Sequence, residues 1–270
     1  MDIDLCWRLQ LTHHRHRTTH GAVFRQMRGS GMARPFLYHR RLISGLTYIS
    51  HRCDNAAVID IATQLEAIDR EVVRRDGPAG EEVAVLIRRT YDAAVADVWD
   101  ALTDPDRMKR WFLPVSGDLR EGGNFQLEGN ADGDILRCEP PRLLRVTFGG
   151  PTSIVELRLA PDGDERTTLE LEHTVPIEIA QSGAGALFVG PGWDGGFVAL
   201  DLFLRGEVVD DPVATANSPE GRELSKRSVD AWVAAVEGSG TAGADEIAMM
   251  KDISLAQFAP EPDATDATDG

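Results

Sequence analysis

Histidine and arginine are concentrated in one short run near the start of the chain. The sequence HHRHRTTH, residues 13–20, holds four His and two Arg. Closely spaced imidazoles can bind a metal ion, and arginine can pair with the phosphates of nucleic acid. The run has neither a partner pair of cysteines nor an apolar periodicity that would orient such ligands. We therefore interpret it as a disordered tail, and we expect no metal, no cofactor and no nucleic-acid partner.

Two side chains later in the chain have the chemistry for catalysis. His173 alternates with Leu169 and Leu171, which places it on the inward face of a strand as a general base or ligand contact. A buried histidine that is satisfied by backbone groups is the alternative we favour. Cys138 has no histidine near it in sequence, and buried thiols are commonly inert. Because hydrolase, zinc and phosphate-loop motifs are also absent from the sequence, we assign no catalytic residue.

The elements that would position these residues follow from the apolar periodicity. Steps of three and four residues predict a helix from Ile61 through Val72, before the break at residues 76–80. Alternation then predicts a strand around Val85, followed by two short helices, the second beginning at Pro105. Short strands joined by tight turns come next, and they predict an antiparallel sheet with one face exposed to solvent.

A long helix with one apolar stripe is predicted after this sheet. Trp193, Phe197 and Leu200 recur at steps of four and three. The stripe must be buried, and the alternating strands offer the large apolar face, so we expect the helix to lie across the concave side of the sheet. Strands bearing Phe125 and His173 should face it. The order of elements is typical of the α+β class, with extra helices toward the C-terminus.

Five aromatic residues are candidates for the lining of a ligand cavity between the sheet and this helix. Aromatic side chains supply much of the contact area in apolar pockets. The alternative is that they belong to an ordinary core, and we expect at least half of them to do so. With His173, the predicted ligand-binding residues are Trp111, Phe112, Phe125, Trp193 and Phe197.

Several linked motifs resemble one family in order and spacing. They are Tyr91–Ala93, Val98–Pro105, Arg110–Pro114, Gly117–Gly123, Glu128–Asn130, Cys138–Pro141 and Gly190–Trp193. This pattern, over about residues 60–210, resembles the START-like superfamily, also called SRPBCC or polyketide cyclase. More narrowly, it is similar to bacterial homologues of the C-terminal domain of the heat-shock-protein-90 ATPase activator.

The resemblance implies a helix-grip fold, in which an antiparallel sheet wraps around the long helix and leaves a cavity. Members of the wider superfamily bind small hydrophobic molecules there, so a non-catalytic module with such a ligand is the predicted function. One alternative is a protein-interaction module with a protein partner, either as a chaperone ATPase regulator or beside a regulatory protein. The other is a cyclase or hydrolase that uses the same cavity. Residues 1–57 do not resemble the additional domain of the eukaryotic activators.

Charge divides the chain abruptly. Residues 1–57 hold nine Arg against three Asp, a net charge of +6, whereas the remainder holds 19 Lys and Arg against 41 Asp and Glu, a net charge of −22. The acidic part disfavours nucleic acid and anionic membranes as partners. No apolar run is long enough to span a membrane, and three cysteines fit a reducing compartment, so we predict a cytoplasmic protein. The predicted divisions are 1–57 (disordered), 58–80 (helix and linker), 81–210 (helix-grip domain), 211–258 (helical extension) and 259–270 (disordered).

We predict that residues 1–57 form no stable structure and that translation starts naturally at Val58. The physical reason is the break in composition and periodicity, and valine can be encoded by an alternative start codon. Peptide mapping of the native protein by mass spectrometry is the measurement. Peptides from residues 20–50 at full abundance would contradict the internal start.

Overall fold

The computed structural model describes residues 60–207 and 211–261. The predictions for 1–57 and for most of 259–270 concern residues outside these ranges. The helices are α1 (Ile61–Glu66), α2 (Val95–Thr103), α3 (Pro105–Met108), α4 (Ile177–Ala180), a 3₁₀ helix (Gly183–Phe188), α5 (Gly190–Leu204), α6 (Pro212–Ala216), α7 (Pro219–Ser239) and α8 (Ala244–Phe258). The strands are β1 (Asp69–Gly77), β2 (Gly80–Tyr91), β3 (Val115–Gly117), β4 (Asn124–Leu127), β5 (Asp132–Glu139), β6 (Leu143–Thr147), β7 (Ile154–Pro161) and β8 (Thr167–Pro176).

The strands form one antiparallel sheet of eight, in the order β1-β2-β8-β7-β6-β5-β4-β3. Strand β8, the third in this order, shows how the two faces of the sheet differ. Leu169 and Leu171 are buried, whereas Glu170 and Glu172 on the opposite face accept from Arg88 of β2 and Arg75 of β1. Alternating residues of a strand point to opposite faces, so the pattern gives one apolar and one ion-paired surface.

Helix α5 packs on the apolar face, which confirms the predicted α+β, helix-grip architecture. Phe197 and Leu200 are 4% and 1% exposed. The Tyr91 hydroxyl at the end of β2 donates to the Phe197 carbonyl at 3.1 Å. The apolar stripe of this 15-residue helix thus faces the sheet, as predicted.

The two short helices after β2 are also confirmed. Asp104 caps α3 by accepting from the backbone N–H groups of Asp106 and Arg107, and Pro105 occupies the first turn. Trp111, just beyond α3, donates its indole N–H to the Ala101 carbonyl at 3.0 Å. This bond ties the end of α3 back to α2.

The predicted helix from Ile61 through Val72 is wrong in its second half. Helix α1 ends at Glu66, and residues 69–77 form strand β1, which pairs with β2 in the register Val72↔Val85. Residues four apart share a face in a strand as well as in a helix, so the spacing from Ile68 to Val72 fitted both. The adjacent β-branched pair Val72–Val73 favours the strand.

A buried ion pair joins β1, α5 and α7. The Arg70 Nε donates to the Asp194 carboxylate at 2.9 Å and 3.2 Å. Ser228 Oγ and Trp232 Nε1 of α7 donate to the same carboxylate at 2.5 Å and 3.1 Å. Burial raises the pKa of Asp194 to about 6, which leaves the carboxyl ionised at neutral pH. The first turn of α5 is thus held by donors from two other elements.

A second buried pair holds the middle of α5 against β2. The Arg89 guanidinium lies 2.9 Å from the Asp201 carboxylate. Gln64 of α1 contacts both partners, because its amide donates to Asp201 at 3.0 Å and accepts from Arg89 at 2.8 Å. Helix α1 is therefore docked by polar contacts as well as by Leu65.

The predicted C-terminal helices are present as α7 and α8. Ser218 caps α7, and Gly240 at φ 65° ends it in the left-handed conformation that favours glycine. Trp232 of α7 is fully buried, and a Cβ on Gly190 would lie 2.4 Å from its indole. Glycine is thus required where α5 meets α7. No helix within the described ranges is long and apolar enough to cross a membrane.

We expect Arg70→Met to lower the free energy of unfolding by roughly 3–5 kcal/mol, because it leaves the buried Asp194 charge without its cation. Arg74→Met on the same strand is the matched control, since Arg74 and its partner Glu81 are 41% and 39% exposed. Exposed pairs contribute little, so the control should unfold almost as the wild type does. Urea unfolding measures both, and equal effects would contradict the role given to Asp194.

Candidate functional site

An apolar cavity of about 190 Å³ lies between the sheet and α5. Its walls come from α2, α3 and the segment after them, from β3–β8 and from one side of α5. The apolar lining residues are Leu102, Met108, Trp111, Phe112, Val115, Leu119, Phe125, Leu127, Ile135, Leu144, Val146, Phe148, Val155, Leu157, Leu169, Leu171, Trp193, Gly196, Phe197 and Leu200. The side chains of the core thus leave a space that they do not fill.

The two lining residues that are exposed to solvent lie on the loop between β3 and β4, so we place the opening of the cavity there. Leu119 on this loop is 41% exposed, and the neighbouring Arg120 side chain is 73% exposed. Arg120 pairs with Asp118 at 2.9 Å. An apolar interior with a charged rim is the usual form of a small-molecule pocket.

Five of the six predicted site residues line this cavity. Trp111 and Phe112 stack with 5.4 Å between their ring centroids on the α3 side. Trp193 and Phe197 lie on α5, and Phe125 lies on β4. The apolar stripe of α5 thus faces the strand that bears Phe125, as predicted.

His173 is the exception, because it lies behind the cavity wall. Its Nδ1 accepts from the indole N–H of Trp193 at 3.2 Å, and its Nε2 lies 2.8 Å from Ser153 Oγ. Since Nδ1 accepts, the proton is on Nε2, which donates to the serine. Burial lowers the pKa of His173 to about 4, so the imidazole is neutral at neutral pH. The favoured interpretation, a satisfied buried histidine, agrees with this geometry, although its partners are side chains.

The polar groups of the cavity lining are Thr103, Cys138 and Arg120. The Thr103 hydroxyl donates to the Trp99 carbonyl at 2.8 Å. Burial raises the pKa of the Cys138 thiol, which keeps it protonated and a poor nucleophile at neutral pH. Within the described ranges, no group of His, Cys, Asp and Glu is placed to hold a metal ion. The histidine-rich run at residues 13–20, for which we expect no metal, lies outside these ranges.

Sequence reasoning missed two residues that shape the cavity. Phe148 contacts Phe125 at 6.4 Å and Trp193 at 5.1 Å between ring centroids. Its alternation with Leu144 and Val146 was a signal that it points inward. Gly196 also lines the cavity, and a Cβ there would meet nothing within 4 Å. Sequence gives no signal for such a position, since the space depends on the opposite wall.

Comparison with known proteins gives a family and two related structures. The family model described as "Activator of Hsp90 ATPase homolog 1-like protein" matches residues 92–200. The crystal structure of CalU16 from Micromonospora echinospora is 46% identical, covering 63% of this chain and 98% of CalU16, with a TM-score of 0.53. Its solution structure is 45% identical, covering 64% and 97%, with a TM-score of 0.55.

A more distant similarity is to PFC0360w, an HSP90 activator from Plasmodium falciparum. It is 21% identical, covers 34% of this chain and 74% of that chain, and has a TM-score of 0.32. A similarity of this size supports no argument about the present chain. No curated protein matches the chain.

We predict that His173 makes the protein less stable as the pH falls from 6.5 toward 4. In this window the unfolded chain binds a proton at His173 and the folded chain does not, since burial lowers the folded pKa to about 4. The loss should approach about 1.4 kcal/mol per pH unit.

His173→Gln is the matched variant, because its amide oxygen can still accept from Trp193 but does not titrate. The raised pKa of Asp194 gives a slope of opposite sign, so the difference between wild type and variant isolates the histidine. Chemical unfolding at several pH values measures it. A difference that stays constant from pH 6.5 to 4 would contradict the prediction.

Proposed function

Since the chain belongs to the family of Activator of Hsp90 ATPase homolog 1-like proteins, within the START-like superfamily, we propose that it binds a small hydrophobic molecule without catalysing a reaction. The family assignment confirms the resemblance found in the sequence motifs. The proposed ligand site is the cavity between the sheet and α5, with Trp111, Phe112, Phe125, Trp193 and Phe197 as contacts.

The observation that supports this function is an apolar space which the protein itself leaves unfilled. The cavity measures about 190 Å³. An engineered apolar cavity of about 150 Å³ in another protein binds benzene, so this one can hold a ligand of at least one ring. The opening beside Leu119 would let a longer ligand extend toward solvent. Burial of apolar ligand surface would supply the affinity.

The state of the polar lining groups supports a non-catalytic function. General acid–base or nucleophilic catalysis needs a group that can exchange a proton or attack within reach of the substrate. The Cys138 thiol is protonated at neutral pH, and Arg120 is a permanent cation. His173 is separated from the cavity by Trp193. A cyclase or hydrolase therefore has less support than a binding protein.

The protein-interaction alternative predicts a filled core and an exposed apolar patch. Met249 and Ile253 of α8 are exposed at 57% and 41% and lie one turn apart. Two side chains make a small patch compared with the surfaces that usually mark partner sites. The cavity is the larger departure from an ordinary folded core, so we favour the small molecule. A cytoplasmic location and a protein partner both stay predictions.

Native mass spectrometry of gently purified protein tests whether a ligand is retained. A mass above that of the chain which disappears on denaturation would support the proposal. Titration with the neutral fluorescent probe N-phenyl-1-naphthylamine tests the cavity directly, because the probe is apolar and brightens when it leaves water. A protein that retains no ligand and does not bind the probe would contradict the proposal.

We expect Gly196→Leu to abolish binding of this probe, because the new side chain would project into the cavity. Gly195→Leu is the matched control. A Cβ at Gly195 also meets nothing within 4 Å, but this residue does not line the cavity. Both changes replace a helical glycine and should raise helix stability by up to about 1 kcal/mol.

Fluorescence titration and thermal unfolding of the two variants complete the test. The expected outcome is equal or slightly higher thermal stability in both variants, with probe binding lost only in Gly196→Leu. Equal binding by the two variants would place the probe elsewhere.

A further inference from the structure

We propose that Trp193 sets the length of ligand that the cavity accepts, because its indole closes one end of the space between the sheet and α5. This inference rests on the proposed function and adds a residue that determines ligand specificity. It starts from a second, smaller void beyond the indole, with a volume of about 20 Å³.

The two spaces follow one another along strand β8. Leu169 and Leu171 line the large cavity, whereas His173 and Val175 line the smaller void. All four lie on the same face of the strand, at about 3.4 Å per residue. Val83 of β2 pairs with Val175 and also lines the smaller void. A ligand that advances along β8 from the large cavity would therefore reach the smaller void next.

Three aromatic rings stand between the two spaces. Trp193 and Phe148 line the large cavity, and His173 lines the smaller void. The ring centroids are 5.1 Å apart for Phe148 and Trp193, 6.0 Å for Phe148 and His173, and 5.8 Å for His173 and Trp193. Each ring contacts the other two, so together they form a wall.

Hydrogen bonds fix the orientation of this wall. The Trp193 indole donates to His173 Nδ1, and His173 Nε2 is held by Ser153. Rotation of the indole would leave a partly buried donor on Trp193 and a buried acceptor on His173 unpaired, which is unfavourable. The indole therefore stays in place and acts as a fixed end of the cavity.

A fixed end makes a prediction for linear ligands. Each added methylene that is buried should tighten binding about fourfold. The gain should stop at the chain length that brings the ligand to the indole. Trp193→Leu should move this limit to longer chains, because it removes the ring and its hydrogen bond.

The experiment uses the full chain and the n-alkanols from hexanol to dodecanol, with calorimetry for affinity and methyl NMR for position. In the wild type, we expect the methyl signals of Leu169 and Leu171 to shift and those of Val83 and Val175 to stay unchanged. In Trp193→Leu, dodecanol should shift the signals of Val83 and Val175 and bind at least tenfold more tightly than it binds the wild type.

Trp111→Leu is the matched control. It removes the same ring type from the same cavity, but Trp111 stacks on Phe112 and is not part of the wall. The signals of Val83 and Val175 should therefore stay unchanged in it. Phe148→Leu is a second change to the wall, used if Trp193→Leu does not fold, and dodecanol should reach Val175 in it as well.

The outcomes separate the inference from the function on which it rests. One result would overturn the inference alone: alkanols shift the NMR signals of Leu169 and Leu171, but the chain-length limit is the same in the wild type and in the Trp193 and Phe148 variants. So would a shift of Val175 in the wild type. Failure of every alkanol to bind any of the proteins would overturn the proposed function.

Discussion

The buried carboxylate of Asp194 is the point on which the arrangement of the helices depends. It is fully buried and accepts from Arg70 of β1 and from Ser228 and Trp232 of α7. A buried charge is tolerated only when it is paired and hydrogen-bonded. Helix α5 can therefore begin only where both β1 and α7 supply their donors. The edge strand, the central helix and the C-terminal helices are thus coupled through one side chain.

This constraint also positions the proposed ligand site, because Trp193 precedes Asp194 in the first turns of α5. One side of these turns is held by the ion pair, and the other side faces the cavity with Trp193 and Phe197. The cavity forfeits packing contacts that a filled core would make on that side of the helix. The polar contacts of Asp194 on the other side therefore have a larger part in fixing the start of α5.

The periodicity of the sequence predicted the helices and strands that bury one face. Contacts between residues far apart in sequence determined the features that it did not predict. The α5 stripe, the β8 alternation and the caps of α3 and α7 were all local signals, and the structure agrees with each. Trp193 and Phe197 came from the helical spacing of the α5 stripe, whereas Trp111, Phe112 and Phe125 were chosen because aromatic side chains supply much of the contact area in apolar pockets. The three partners of Asp194 are 124, 34 and 38 residues away in sequence, and no local pattern indicates them. For β1, the four-residue spacing fitted helix and strand alike.

The glycines of α5 also depend on what lies opposite them in the fold, which the local sequence does not reveal. A glycine in a helix either allows close contact with another element or leaves open space beside the helix. Gly190 is explained by contact, since a Cβ there would lie 2.4 Å from the Trp232 indole. Gly196 has no such neighbour, although a glycine inside a helix costs about 1 kcal/mol relative to alanine. What lies beside it is the cavity. Gly195 is equally open but does not line the cavity, so it is the position of Gly196 in the cavity wall, and not the missing contact alone, that connects this glycine with the proposed ligand site.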